Sequence, residues 1–546
     1  MRALLSAYRG LIAHGLIALA LIATCYSGAL AQTPPSEPEA PVPRFVIKEV
    51  RVLGNTLLPD SRLSAIVARL VGSERTLGDL KQGAAAVQQA YRDAGYGGVV
   101  AYVPEQELNE GRLVIRVVEG KLARVHISGN HYYNDANIRR SLPNLRDGET
   151  PRVPAIDRDI QLANENPAKQ VQVQLTAGEK PTDIDANIEV AEVDPKRILL
   201  SLDNTGTPTT GHYRAAVGLQ NANLWNRDDI GTLQYQTSPT EPGLVHIYSA
   251  GYRMPLYGYA STIDAFYAHS NVNNGNTFTP AGPLAFTGKG DVAGLRFNRY
   301  LPRIGEYDHR ITLGGDWRDF QDECAVGTFG AAGCGTAAAS VIVLPISLAY
   351  TAQVQTPELS WGASAAVSHN VGGSNQTAFD AARPGANREY TIYRLSAFAA
   401  HALPAGFGVQ ARLTGQFTSD ALVPGEQLGL GGAESVRGYY EREEAGDYGF
   451  FANLEGLGPS LSAWLAAKAI IVRPLVFFDY GRITNHNDTP CAFNDANCVL
   501  SGVGAGLRLT VSNWLSGRFD VACALNSSTQ TSAGTWRVHF AINAVF

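Results

Sequence analysis

Trp536-Arg537-Val538-His539-Phe540-Ala541-Ile542-Asn543-Ala544-Val545-Phe546 ends the chain in strict alternation. Successive strand side chains point to opposite faces. Trp536, Val538, Phe540, Ile542, Ala544 and Phe546 therefore share one apolar face, while Arg537, His539, Ala541, Asn543 and Val545 share the other. Such a strand, closing on a terminal phenylalanine, suits a barrel with hydrocarbon outside and water inside. A soluble sandwich can end the same way. The stretch upstream decides between them.

From Pro195 onward helical periodicity is absent, and strands of about 9–12 residues alternate with turns. The pattern predicts about sixteen strands, near 197–204, 213–221, 229–237, 243–254, 260–271, 289–301, 307–320, 341–354, 358–369, 390–402, 407–418, 447–456, 472–482, 501–511, 517–525 and 535–546. Short turns alternate with longer loops, among them 272–288, 321–340, 370–389, 419–446, 483–500 and 526–534. Long loops on one side and short turns on the other describe an outer-membrane barrel. Two connections fit less well: 238–242 is short on the long side, and 457–471 is long on the short side. So many strands are too many for one soluble sandwich domain. In lipid an open edge would leave backbone groups unpaired, so the sheet must close.

The other end carries an export signal. Arg2 and Arg9 precede an apolar stretch from Leu11 to Ala23, and Ala29-Leu30-Ala31 forms a small-x-small cleavage site. The reading is a signal peptide over 1–31, followed by a proline-rich leader over 32–43. No later run is long and apolar enough to predict a spanning helix. A net charge of -6 argues against a nucleic-acid partner. After the signal, Cys324 and Cys334 could close one local loop and Cys491 and Cys498 another. Neither pair has metal-site spacing, and no metal or cofactor is expected. Cys523 shares strand parity with Phe519 and Val521 and reads as a small apolar residue.

Between leader and barrel the chain repeats itself. Val50-Arg51-Val52-Leu53-Gly54-Asn55 returns as Val125-His126-Ile127-Ser128-Gly129-Asn130. Each copy starts with a strand ended by a Gly-Asn turn signal, continues through two helical segments and closes with two strands. The helix from Leu77 stacks Leu80, Ala84, Val87 and Tyr91 on one stripe. The unit is β-α-α-β-β, over 44–119 and again over 120–195. Its sheet edge could accept an extended peptide as an added strand.

This unit resembles the POTRA (polypeptide-transport-associated) domain. The second copy, with Asn164-Glu165-Asn166-Pro167 and then Val171-x-Val173-x-Leu175, resembles the second POTRA domain of two-partner secretion transporters, the TpsB family of haemolysin secretion/activation proteins.

Inside the barrel segment, Glu434-Ser435-Val436-Arg437-Gly438-Tyr439-Tyr440 lies in the loop 419–446, behind Gly429, Gly431 and Gly432. In Phe477-Phe478-Asp479-Tyr480-Gly481 the alternation puts Phe477, Asp479 and Gly481 on one face. An isolated carboxylate among apolar neighbours invites a partner, and Arg437 is the candidate. An ordinary surface loop and an ordinary charged strand residue are the alternative. The stretch Val436-Arg437-Gly438-Tyr439 resembles the VRG(Y/F) loop tip of POTRA-bearing outer-membrane transporters, and Phe477-x-Asp479-x-Gly481 resembles their matching strand motif. The resemblance implies a lumen-folded loop whose Arg437 pairs with Asp479 on the wall.

It also implies a function. An unfolded exoprotein would dock its N-terminal secretion domain on the periplasmic POTRA domains, cross the barrel and fold outside. Phe546 would be the signal read by the barrel-assembly machinery, and outer-membrane lipid would surround the wall. There is no GxxxxGK[ST] loop to bind ATP, and no G-x-S-x-G or HExxH motif of an enzyme. A barrel-assembly insertase of the same superfamily and a passive porin are the alternatives.

Overall fold

The computed structural model describes residues 43–208, 210–272, 275–286, 289–321, 340–462, 469–486, 491 and 497–546. The proposed signal peptide and nearly all of the leader lie outside them, as do Cys324 and Cys334.

Sixteen strands, from Lys196–Asp203 to Trp536–Val545, form one closed antiparallel barrel. Each pairs with its sequence neighbours, and the last pairs with the first, Ala541 opposite Asp203 and Ile542 opposite Leu202. Closure leaves no backbone edge facing hydrocarbon. The alternation that marks the strands also sets their faces. Leu233, Leu295, Leu313 and Leu348 are exposed on the outside, while Asp264, Asp479, Asp520 and His539 are buried within. The expected strands agree with the observed ones to within a few residues, with two informative differences. The fourth strand begins at Ile247, because 238–246 form the preceding loop. The long side therefore has no short connection there. The fourteenth begins at Asn497, four residues early, next to the Cys491–Cys498 disulfide.

The chain divides into two compact units, Met1–Gln89 with Ala101–Val117, and Ala90–Val100 with Val118–Phe546. In the first repeat Glu49–Leu53 runs parallel to Arg112–Glu119. In the second, Lys121–Ser128 runs parallel to Asp183–Glu192, which pairs antiparallel with Lys169–Ala177. Both Gly-Asn signals have the same physical cause. Gly54 and Gly129 have φ of +91° and +84°, and a Cβ on either would lie 2.3 or 2.2 Å from the carbonyl oxygen of Val117 or Val190. Only glycine accepts that conformation and that approach. The asparagine then ties the turn to the next helix: Asn55 donates to Leu58 O and Asp60, and Asn130 to Tyr133 O and Asp135. One element of the repeats was illegible: Arg44–Ile47 pairs with Gly72–Thr76, whose GSERT sequence has no apolar alternation to announce it.

Within the second unit the repeat and the barrel share one apolar core. Tyr133, Ile138, Leu162 and Ala163 of the repeat cluster with Ala222, Ile230, Tyr257 and Tyr300 at the short-turn end of the barrel. A buried ion pair lies in this core. Lys169 Nζ donates to Asp228 Oδ2 at 2.6 Å and to Asn137 Oδ1 at 3.0 Å, and Tyr257 donates to the same Asp228 oxygen at 2.6 Å. Burial pushes the Lys169 ammonium below its ordinary range, and the Asp228 carboxylate opposes that shift.

Candidate functional site: a loop held inside the barrel

The loop that follows Gly408–Phe417 returns to the wall at Tyr448–Leu457. A short ladder, Leu428–Leu430 with Glu444–Gly446, stiffens its two arms. Gly431 and Gly432, with φ of +106° and +100°, turn the chain at the top of that ladder. The tip beyond them is buried: Val436 and Tyr439 are in a cluster with Leu430, Ile483, Leu500 and Ala524, inside the wall.

Arg437 is 3% exposed and Asp479 fully buried. Nε donates to Asp479 Oδ2 at 2.7 Å, Nη2 to Oδ1 at 2.8 Å, and the Arg437 backbone N–H to Oδ2 at 3.1 Å. This is the two-pronged geometry that arginine alone provides. The guanidinium carbon also lies 3.4 Å from the centre of the Phe477 ring, a cation–π contact. Asn453 donates to the same Asp479 Oδ1 at 2.9 Å and to the Ser435 carbonyl at 2.5 Å. Strand parity explains the placement, since Leu475, Phe477, Asp479 and Gly481 are buried while Val476 and Phe478 face outward.

Glycines in the wall make room for the loop and for the ring packed against Arg437. A Cβ on Gly481 would stand 2.4 Å from Leu430, and one on Gly504 would stand 2.6 Å from the Phe477 ring. Gly438, with φ of +103°, donates its N–H to His539 Nε2 at 3.0 Å. Tyr439 OH donates to the Asn526 and Ser501 carbonyls at 2.8 and 3.0 Å. Thus Val436, Arg437, Gly438, Tyr439, Phe477, Asp479 and Gly481 all meet in one place.

Sequence reading missed part of the cluster. Arg437 Nη1 also donates to Glu455 at 2.7 Å and lies 3.4 Å from Asp520. Arg508 bridges the same two acids, at 3.0 and 2.6 Å. Two guanidinium groups thus face three carboxylates. The available signal was parity: Glu455 and Asp520 are lone acids at inward positions of the twelfth and fifteenth strands. A cavity of about 550 Å³ beside the tip, lined by Arg437, Glu455 and Arg508 among others, is open to solvent.

Further holds occur along the loop. Arg318 and Arg394 donate to Glu426 at 2.6 and 3.4 Å. Arg383 makes a two-pronged contact with Asp447 at 2.6 and 3.0 Å. Glu443 accepts from Thr531 at 2.7 Å and from Ser528. All rest on polar residues in long loops or at inward positions, and none had a motif to mark it.

Phe546 ends beside the first strand, exchanging backbone hydrogen bonds with Ile198 at 2.9 Å each way, its ring 5.7 Å from Trp514. Cys491 and Cys498 are bonded, with sulfurs 1.99 Å apart. Cys523 is a free, half-buried thiol. Among the described residues no group of three or more metal-ligating side chains occurs.

The sequence profile of the haemolysin secretion/activation protein family ShlB/FhaC/HecB matches residues 183–509, and the ShlB-type POTRA profile matches residues 45–120. The chain is 26% identical to the outer membrane transporter CdiB of Dickeya dadantii over 489 residues, covering 87% of this chain and 82% of the relative. It is 23% identical to the heme/hemopexin transporter protein HuxB of Haemophilus influenzae, over 86% of this chain and 81% of that one. Its fold resembles the solved CdiB from Escherichia coli with a TM-score of 0.75 at 20% identity, covering 95% of this chain and 94% of that one. The CdiB from Acinetobacter baumannii gives 0.68 at 16% identity, over 99% and 98%.

Proposed function

The chain belongs to the haemolysin secretion/activation protein family ShlB/FhaC/HecB, and from that premise we propose that it exports one partner exoprotein, unfolded, from the periplasm to the cell surface. The family is one of outer-membrane transporters, with POTRA domains in the periplasm and a β-barrel in the membrane. It is a secretion family rather than an enzyme family. Its relatives imply a secreted partner exoprotein.

The exoprotein's N-terminal secretion domain docks on the POTRA sheet edges by strand addition. The chain enters the barrel as the loop 419–446 rearranges, then folds outside. No nucleotide is needed, because folding at the surface biases the direction. The substrate class is the large adhesins and haemolysins. The domains divide as 1–31 signal peptide, 32–43 leader, 44–119 and 120–195 POTRA domains, and 196–546 barrel.

The observation that supports this most is the Arg437–Asp479 pair. A loop folded into the lumen and held there by a charge cluster has to move before an unfolded chain can pass. An exposed ion pair contributes about 0–1 kcal/mol, while removing one partner of a shielded, hydrogen-bonded pair costs about 3–5 kcal/mol. Solvent in the adjoining cavity puts this pair between those limits. It is strong enough to set the loop's position and weak enough to yield. The test is deletion of the gene. Loss of a single surface exoprotein with other outer-membrane barrels at normal levels is expected; a general fall in barrels would overturn the reading.

A further inference from the structure

A second long loop also enters the barrel. Its hairpin, Gly275–Thr279 with Gly282–Phe286, follows the strand Ser261–Ser270. Its contacts lie on inward positions of the wall strand Ile247–Leu256. Thr277 and Ser249 hydroxyls meet at 2.5 Å, and both residues are buried. Pro280 at the turn packs on Gly251, where a Cβ would stand 2.0 Å from the proline ring. Tyr248, immediately before Ser249, is exposed on the outside. The hairpin thus descends along the inner wall from the long-loop end, with its turn beside Arg253, only three residues before the wall strand ends at Leu256.

Arg253 is where three parts converge. Nη2 donates to the Pro280 carbonyl at 2.5 Å. Nε and Nη2 hold Asp264 on the adjacent strand at 2.7 and 3.1 Å. Nη1 lies 3.9 Å from Glu165, in the Asn164-Glu165-Asn166-Pro167 turn of the second repeat. One planar cation therefore touches the hairpin turn, the wall and the periplasmic repeat. Asp264 fixes the guanidinium in the wall, and Glu165 lies along its free edge.

We propose that Arg253 is a positioning residue through which the second repeat holds the 275–286 hairpin inside the barrel. The hairpin takes up lumen that a passing chain needs. Movement of the repeat withdraws Glu165, loosens the guanidinium beneath the Pro280 carbonyl and lets the hairpin leave. The proposal deepens the transporter reading and rests on it for its purpose.

The test is the rate of disulfide formation in the full chain carrying Ser249→Cys and Thr277→Cys, in outer membranes treated with diamide. That rate reports how often the hairpin occupies the wall, and the heat-dependent gel shift of a folded barrel is checked in every variant. Adding Arg253→Gln should slow cross-linking by about tenfold, between the effects of breaking an exposed and a shielded pair. Arg253→Lys, which keeps charge without the fork, should fall between. Glu165→Gln should slow it by about twofold, the scale of a partly exposed pair. Wild-type rates in folded Arg253→Gln and Arg253→Lys would overturn the proposal. A wild-type rate in Glu165→Gln alone would overturn the link to the repeat. No exoprotein is present in the assay, so failure here leaves the transporter reading standing.

Discussion

The carbonyl oxygen of Arg437 lies 2.1 Å from the point where a Cβ on Gly502 would stand. The wall at that point is bare, and the loop tip occupies the space. Gly502→Leu should therefore displace the tip while leaving the strand in place, since leucine fits a pleated ladder. The expected result is a folded barrel with raised and noisier ionic conductance in a planar bilayer. A wild-type trace would mean that the tip tolerates displacement.

Lys169 and Asp228 form a different kind of contact, fully buried at the joint between repeat and barrel. Lys169→Met leaves the buried Asp228 carboxylate with the neutral Tyr257 hydroxyl as its donor, and should destabilise that joint by about 3–5 kcal/mol. Lys169→Met with Asp228→Leu should recover much of the loss, because apolar replacement of a buried pair is often neutral. Protease cleavage between 120–195 and the barrel, followed over a temperature series, measures both.

Asp159 gives the second repeat a pH dependence. Burial raises its carboxyl to about 6, against the opposing hydrogen bonds from the Asn144 backbone and side chain. The folded value lies above the unfolded one of about 3.9. Its stabilising contribution is therefore complete below about pH 4 and lost as pH rises through about 6. Protection of the Val153–Ala163 amides, corrected for intrinsic exchange, should fall between about pH 5 and pH 7.5. Asp159→Asn should flatten that slope, and an unchanged slope would assign it to another group.

Much of this was written in the sequence because the bilayer imposes a simple code. Each wall strand alternates, so Asp479 and Gly481 could be assigned to one face from Phe477-Phe478-Asp479-Tyr480-Gly481 alone. The Gly54-Asn55 and Gly129-Asn130 signals were legible for a similar reason: a left-handed turn against a carbonyl admits one residue type. Glu455, Asp520 and Arg508 were hidden because their partners come from different strands, and a single strand does not reveal its neighbour's register. The 275–286 hairpin was hidden too. Its sequence reads as an ordinary long loop, and Ser249, Gly251 and Arg253, on another strand, reveal where it goes.

Arg437 holds the loop by geometry as well as charge, and export is expected to depend on that hold. The most direct measurement is the amount of exoprotein reaching the surface in cells carrying Arg437→Ala or Arg437→Lys, with barrel insertion verified by the heat-dependent gel shift. Inserted barrels are expected in both, with loss of most secretion for alanine and poor rescue by lysine, which keeps the charge but not the fork. Wild-type secretion from inserted Arg437→Ala would contradict that dependence.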